Sequence, residues 1–280
     1  DFWSAEREPE QWAIYPLIPK GRGVSLYAPA KAGKSTVVLA AVAAAASGKP
    51  GLMGPAGPPT DVLYLDYEMT GDDLYERLEG LGYSADVDLT RLHYALIPSL
   101  PPLDTQAGAA AVVKAVAATG ATVVVVDTYG RAVEGDENEN DTTREFYRHT
   151  GTALKAMGVA VLRCDHAGKD IDKGARGGSA KNDDVDVVWR LLRTEGGVKL
   201  SRTHSRVPWV PETVELAYSE DDETGLVRLS PLNRKGYAAG TKETAEVLER
   251  LEVPVGVSTR RAQKALIEVG EGRRRQVVVD

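Results

Sequence analysis

Four consecutive valines closed by an aspartate, Val123 to Asp127, leave this chain little choice of surroundings. A strand with one face in water alternates apolar and polar side chains, so an unbroken β-branched run needs cover on both faces. Helices provide that cover in the parallel sheet of an α/β fold. The valines have company: "GVSLYA" (23–28), "DVLYLDYE" (61–68), "RLHYALI" (91–97), "TVVVVD" (122–127) and "VAVLRCDH" (159–166) are runs of the same kind. Segments with helical punctuation separate several of them. Residues 34–47 are alanine-rich, "GDDLYERLEGLG" opens on acids and ends on Gly82, and "TQAGAAAVVKAVAATG" ends on Gly120. This alternation predicts crossover units and an α/β class with a central, mostly parallel sheet.

Beyond Trp189 the pattern changes. "VKLSRTHS", "TVELAY" and "LVRLSP" are short, partly alternating runs separated by turn residues, which predicts an antiparallel hairpin extension of the sheet. Turn residues and charges fill 219–241. Two helix-like stretches follow, 242–251 and 258–269, with Ser258 placed to cap the second, and their spacing predicts a helix-turn-helix. The expected organisation is one large domain over 1–235 and a small winged-helix-like segment over 236–280.

Composition narrows the setting. The single cysteine, Cys164, excludes an internal disulfide and a cysteine-rich metal site, which fits a reducing interior. No run approaches the roughly 20 apolar residues of a membrane span, and the opening lacks a basic-then-apolar leader, so a cytoplasmic protein with no membrane partner is expected. The formal charge of −7 gives no global basic field, and contact with nucleic acid would have to come from local patches. The opening "DFWSAEREPEQW" reads as the interior of a longer chain, which predicts a further domain upstream.

Ala28-Pro29-Ala30-Lys31-Ala32-Gly33-Lys34-Ser35, followed by Thr36, matches the phosphate-loop pattern with alanine in place of the first glycine. It lies after a predicted strand and before a predicted helix, where backbone N–H groups converge on an anion. In that pattern the lysine, here Lys34, reaches the terminal phosphates and the hydroxyl, here Ser35, holds magnesium. The expected ligand is a nucleoside triphosphate with Mg²⁺. Asp127, at the end of the valine run, is the expected second metal group. Many ATPases follow this aspartate with a glutamate that polarises water. Here Thr128 stands in that place, so the base is expected elsewhere, at Glu68, with Asp66 alternating onto the same side.

Taken in order, "WAIYPLIPKGRGVSLYAPAKAGKS", "VLYLDYEMTGDDLYERL", "VVVVDTYGRAVEGDENEND", "VLRCDHAGK" and "GARGGSAKNDDVDVVWRL" resemble the RepA-type ATPases of plasmids and phages. These are RecA-fold relatives of the ring-shaped replicative helicases, and the resemblance covers residues 12 to 235. It implies a RecA-like P-loop NTPase that uses ATP and Mg²⁺, with Glu68 positioning the hydrolytic water and His166 sensing the γ-phosphate. The same resemblance sets "HSR" (204–206) on the family's arginine-finger element, making Arg206 the finger for a neighbouring subunit and Arg202 the second candidate. His204 stands where the family has lysine. The implied partners are further copies of the chain in a homo-oligomer, expected as a hexamer, single-stranded DNA, and a primase or polymerase domain upstream. The implied activity is that of a replication helicase.

In that family the region 166–184 lines the central channel. Its Lys169, Lys173, Arg176 and Lys181 suit phosphate-backbone contact, and with no Phe, Tyr or Trp in the loop base stacking is not supported. In the tail, Arg260, Arg261 and Lys264 fall on the expected second helix, with Arg273 to Arg275 where a wing would begin. The acidic stretch "AVEGDENENDTTREF" reads as a solvated loop, with Thr142 or Thr143 near the start of the next helix. Two other readings share the phosphate loop. An ATP-dependent DNA-binding assembly or loading factor would hydrolyse without unwinding, and a small-molecule kinase would carry an arginine-rich lid and lack the late hairpins.

Overall fold

Val123 and Val125 pack into one apolar core while Val124 and Val126 pack into another, so the valine run is covered on both faces. Full burial of each such side chain is worth about 1.5–3 kcal/mol. A computed structural model describes residues 11–168, 181, 184–220, 226–232, 241–254, 257 and 259–270. The five apolar runs form β3 (Gly23–Ala28), β4 (Val62–Asp66), β5 (Leu92–Leu96), β6 (Val123–Asp127) and β7 (Ala160–His166). They follow a short hairpin of β1 (Trp12–Ile14) and β2 (Ile18–Pro19).

The predicted late hairpins are also present, as β9 (Gly197–Ser205), β10 (Thr213–Glu220) and β11 (Val227–Pro231). One further strand, β8 (Val187–Thr194), joins the two halves. Among the described residues, the main sheet has the order β11-β10-β9-β8-β3-β7-β6-β4-β5. All pairs from β8 to β5 are parallel, and all pairs from β8 to β11 are antiparallel.

The apolar helix α1 (Lys34–Ser47) packs into the first core, and α3 (Gln106–Thr119) into the second. Thr105 caps α3 by accepting the Gly108 N–H at 3.1 Å. Between these helices α2 (Gly71–Gly80) opens on a capping box: Thr70 accepts from the Asp73 N–H, and the Asp73 carboxylate accepts from the Thr70 N–H. After β6 come α4 (Tyr129–Ala132), α5 (Asn140–Phe146), a π-helical turn (Tyr147–Gly151) and α6 (Thr152–Ala156). Thr142 and Thr143 are buried within α5.

In the tail, α7 (Thr241–Arg250) contacts α8 (Thr259–Glu268), with Val247, Ala262 and Leu266 buried. Arg260, Arg261 and Lys264 are exposed on α8. Ser258 and the expected wing at Arg273 to Arg275 lie outside the described residues.

Candidate nucleotide site

The strand register brings the site together. Ala28, the last residue of β3, pairs with His166 at the end of β7, and across the neighbouring strands Cys164, Asp127 and Asp66 are aligned. The ends of four parallel strands therefore share one edge of the sheet, where such folds bind ligands. The phosphate loop leaves from that edge. Its crest, Pro29 to Lys31, is exposed, whereas Ala32 and Lys34 are buried and Ser35 and Thr36 are half-buried. Lys31 and Gly33 adopt positive φ, 61° and 91°, which turns the loop tightly into α1. A β-carbon on Gly33 would meet only open space, so backbone conformation is what favours glycine there. No side chain caps α1, which leaves the positive end of its dipole open to an anion.

Lys34 donates to Asp127 Oδ1 at 2.9 Å. The Ser35 hydroxyl also bonds Asp127, and the Tyr64 phenol donates to Oδ2 at 2.8 Å. Burial would push the Asp127 carboxyl up, but the Lys34 ammonium and these hydroxyls overcome it and hold the group below its ordinary value. Tyr64 is raised well above the ordinary phenol range, by burial first and then by the Asp127 charge, and so stays a donor. An ionised carboxylate beside a hydroxyl is a set of hard oxygen donors suited to magnesium. Ser35 and Asp127 would hold the ion, which would neutralise phosphate charge when bound.

Glu68 and Asp66 have separate situations. Asp66 is fully buried: Oδ1 accepts the backbone N–H groups of Glu68 at 2.8 Å and Met69 at 3.0 Å, and Oδ2 accepts from the Tyr94 phenol. Glu68 is part-exposed. Its Oε1 accepts from Thr128 Oγ1 and from Arg131 Nε, each at 3.2 Å, and lies 3.8 Å from His166 Nε2. These four residues line a cleft of about 390 Å³ together with Gly130, Gly135, Asp136, Glu137 and Asn138. The acidic stretch read as a solvated loop thus walls the cleft beside Glu68. Arg131 and Tyr64 are further residues the sequence reading passed over; Tyr64 alternates with Asp66 along β4, and that spacing was the available signal.

Residues 1–172 match the AAA domain family, more than half of the chain. The chain belongs to that family. No curated protein matches the sequence. Among solved structures, the AAA domain chain is similar to a KaiC-like protein from the hyperthermophilic archaeon Pyrococcus horikoshii. The two share 15% identity at a TM-score of 0.56, over 81% of this chain and 100% of that one. The likeness is one of fold: the AAA domain chain has a RecA-like P-loop ATPase architecture with a large, mostly parallel sheet.

The remaining expected residues are dispersed. Arg206 is exposed and follows β9, whose end pairs with the start of β8, and its N–H donates to the Asp186 carbonyl. It therefore lies at the opposite edge of the sheet from the phosphate loop, about 20 Å away along a strand of six residues. Arg202 donates to the Val210 carbonyl and is mostly buried. Lys169, Lys173 and Arg176 lie outside the described residues. Lys181 corrects an expectation. It is 1% exposed, and its ammonium is bonded to Asp165 Oδ1 at 3.0 Å and sits over the Tyr129 ring, so it faces the protein interior instead of a DNA backbone.

Proposed function

We propose that this AAA domain chain is an ATP hydrolase that works as a ring-forming motor on single-stranded DNA, in the manner of the RepA-type replication helicases it resembles. In this reading Ala28 to Thr36 cradle the triphosphate, Lys34 meets its terminal phosphates, and Ser35 and Asp127 hold Mg²⁺. Glu68 accepts a proton from the attacking water. His166, 3.8 Å from Glu68, reports the γ-phosphate. The observation that carries the reading is the convergence of Glu68, His166 and Thr128 on one cleft at the strand edge from which the phosphate loop departs.

Arg206 fits a role in a neighbouring copy's site, because a side chain at the far edge of the sheet cannot serve its own phosphate loop. An arginine supplied to developing phosphoryl charge is worth about 10³–10⁵ in rate. Arg206→Ala is therefore expected to leave ATP binding intact and to lose most turnover. Mixing it with Glu68→Gln is expected to restore part, since mixed interfaces pair an intact Glu68 with an intact Arg206. No recovery on mixing, measured as phosphate release, counts against the shared site.

Native mass with a non-hydrolysable ATP analogue and Mg²⁺ tests the ring, and a monomer there sinks it. Strand displacement on forked DNA tests the motor. One observation favours the reading of an assembly or loading factor without unwinding: burial of Lys181 reduces the basic set available for a DNA channel to Lys169, Lys173 and Arg176. ATP hydrolysis without strand displacement would select it.

A further inference from the structure

Tyr64 on β4 and Tyr94 on β5 are register partners. Their rings stack with centroids 4.5 Å apart and planes 13° from parallel. Tyr64 is fully buried, and its hydroxyl donates to Asp127 Oδ2 at 2.8 Å, opposite the Lys34 ammonium on Oδ1. The Tyr94 hydroxyl donates to Asp66 Oδ2 at 2.5 Å, and Asp66 Oδ1 gathers the N–H groups of Glu68 and Met69. One ring of the stack thus ends on the carboxylate assigned to the metal, and the other on the carboxylate that shapes the turn bearing Glu68.

We infer that Tyr64 and Tyr94 are positioning residues with divided tasks: Tyr64 orients Asp127 toward Mg²⁺, and Tyr94, through Asp66, sets the backbone from which Glu68 reaches the water. The inference rests on the proposed roles of Asp127 and Glu68. An aspartate held at both oxygens cannot rotate about its last bond without giving up a partner. A phenylalanine at position 64 would keep the ring and the stack while removing the bond that fixes Oδ2. Outer partners of metal-binding groups commonly matter by about 10–100-fold in metal affinity. The Asp66 link works differently. It touches Glu68 only through backbone, so its loss moves the base and leaves the metal donors in place, and small displacements of a reacting group cost up to about 10²-fold in rate.

The test uses Tyr64→Phe and Tyr94→Phe in the full chain, with two readouts: calorimetric titration of Mg²⁺ into the protein saturated with a non-hydrolysable ATP analogue, and kcat at saturating Mg²⁺. Tyr64→Phe is expected to weaken Mg²⁺ binding about 10–100-fold. Tyr94→Phe is expected to leave Mg²⁺ binding unchanged and to lower kcat by about tenfold or more. Equal effects of both variants on both readouts, or none, overturn the division. Should Tyr64→Phe fail to fold, 3-fluorotyrosine at position 64 alters the phenol as a donor in nearly the same shape, and an unmoved Mg²⁺ midpoint overturns the assignment to Asp127. If the wild-type chain takes up no Mg²⁺ with nucleotide, the proposed function fails first. If it does and the variants match it, only the tyrosine inference fails.

Discussion

Replacing Glu68 with glutamine is expected to cut ATP turnover by about 10²–10⁴-fold while leaving affinity for magnesium and ATP within a small factor of the wild type. The asymmetry comes from what Glu68 Oε1 does. It accepts hydrogen bonds from Thr128 Oγ1 and Arg131 Nε, each at 3.2 Å, and an amide oxygen still accepts both, the one from Arg131 without the help of opposite charge. The shape of the cleft survives; what goes is the capacity to take a proton, together with a largely exposed ion pair to Arg131 that contributes little. Asp66 is a poor replacement, because its two oxygens are committed to the turn and to Tyr94. Steady-state phosphate release measures the rate, and calorimetry with a non-hydrolysable analogue measures the affinity. Turnover within tenfold of the wild type would place the base elsewhere. Lys34→Ala makes the contrast: it removes the phosphate contact together with the buried partner of Asp127, so binding and stability are expected to fall along with the rate.

The residues of the candidate site and its surroundings differ in how far the sequence alone could announce them. Lys34, Ser35 and the loop before them are contiguous, and their identities state the pattern directly. Asp127 is announced by the valines ahead of it, because a charge closing a doubly buried strand has to emerge at the strand's end. The strands were legible for the same reason, through apolar runs too continuous for a solvated face. Strand β8 was harder. Its "VVWRLLRT" mixes buried valines and tryptophan with Arg190 and Arg193, as befits a strand between the parallel and antiparallel halves, and the pattern reads as a break beyond Trp189. Tyr64, Arg131 and the inward turn of Lys181 depend on which strands become neighbours. Lys181 in a glycine-rich stretch looks solvent-facing until Asp165, 16 residues earlier on β7, is placed beside it.

That pair is the basis of the second large effect: Asp165→Asn is expected to destabilise the fold by about 3–5 kcal/mol, because it leaves buried cations without their partner. Asp165 is fully buried and receives bonds from Ser25 Oγ at 2.7 Å, Arg163 Nε at 2.9 Å and Lys181 Nζ at 3.0 Å. Arg163 also donates to the Lys181 carbonyl, and both cations lie 4.8 Å from the Tyr129 ring. Glu137, 3.8 Å from Lys181, is the other nearby anion, so the wild-type cluster balances two positive against two negative groups. Asparagine breaks that balance. The double variant Asp165→Asn with Lys181→Met restores it and is expected to recover part of the loss, which separates uncompensated charge from a merely missing hydrogen bond. Burial alone would raise the Asp165 carboxyl, but Arg163, Lys181 and the Ser25 hydroxyl hold it at about 2. A lowered value in the folded state means the contribution is whole above the ordinary 3.8 and is lost as pH falls through about 2. Linkage puts this acid-sensitive part at about 2 kcal/mol. Denaturant unfolding at neutral pH and at several points below pH 4 reads both effects: the wild type should lose stability on that limb more steeply than Asp165→Asn. Equal midpoints at neutral pH would mean the buried cluster contributes nothing to the fold, and parallel acid limbs would mean that Asp165 is not the group that titrates.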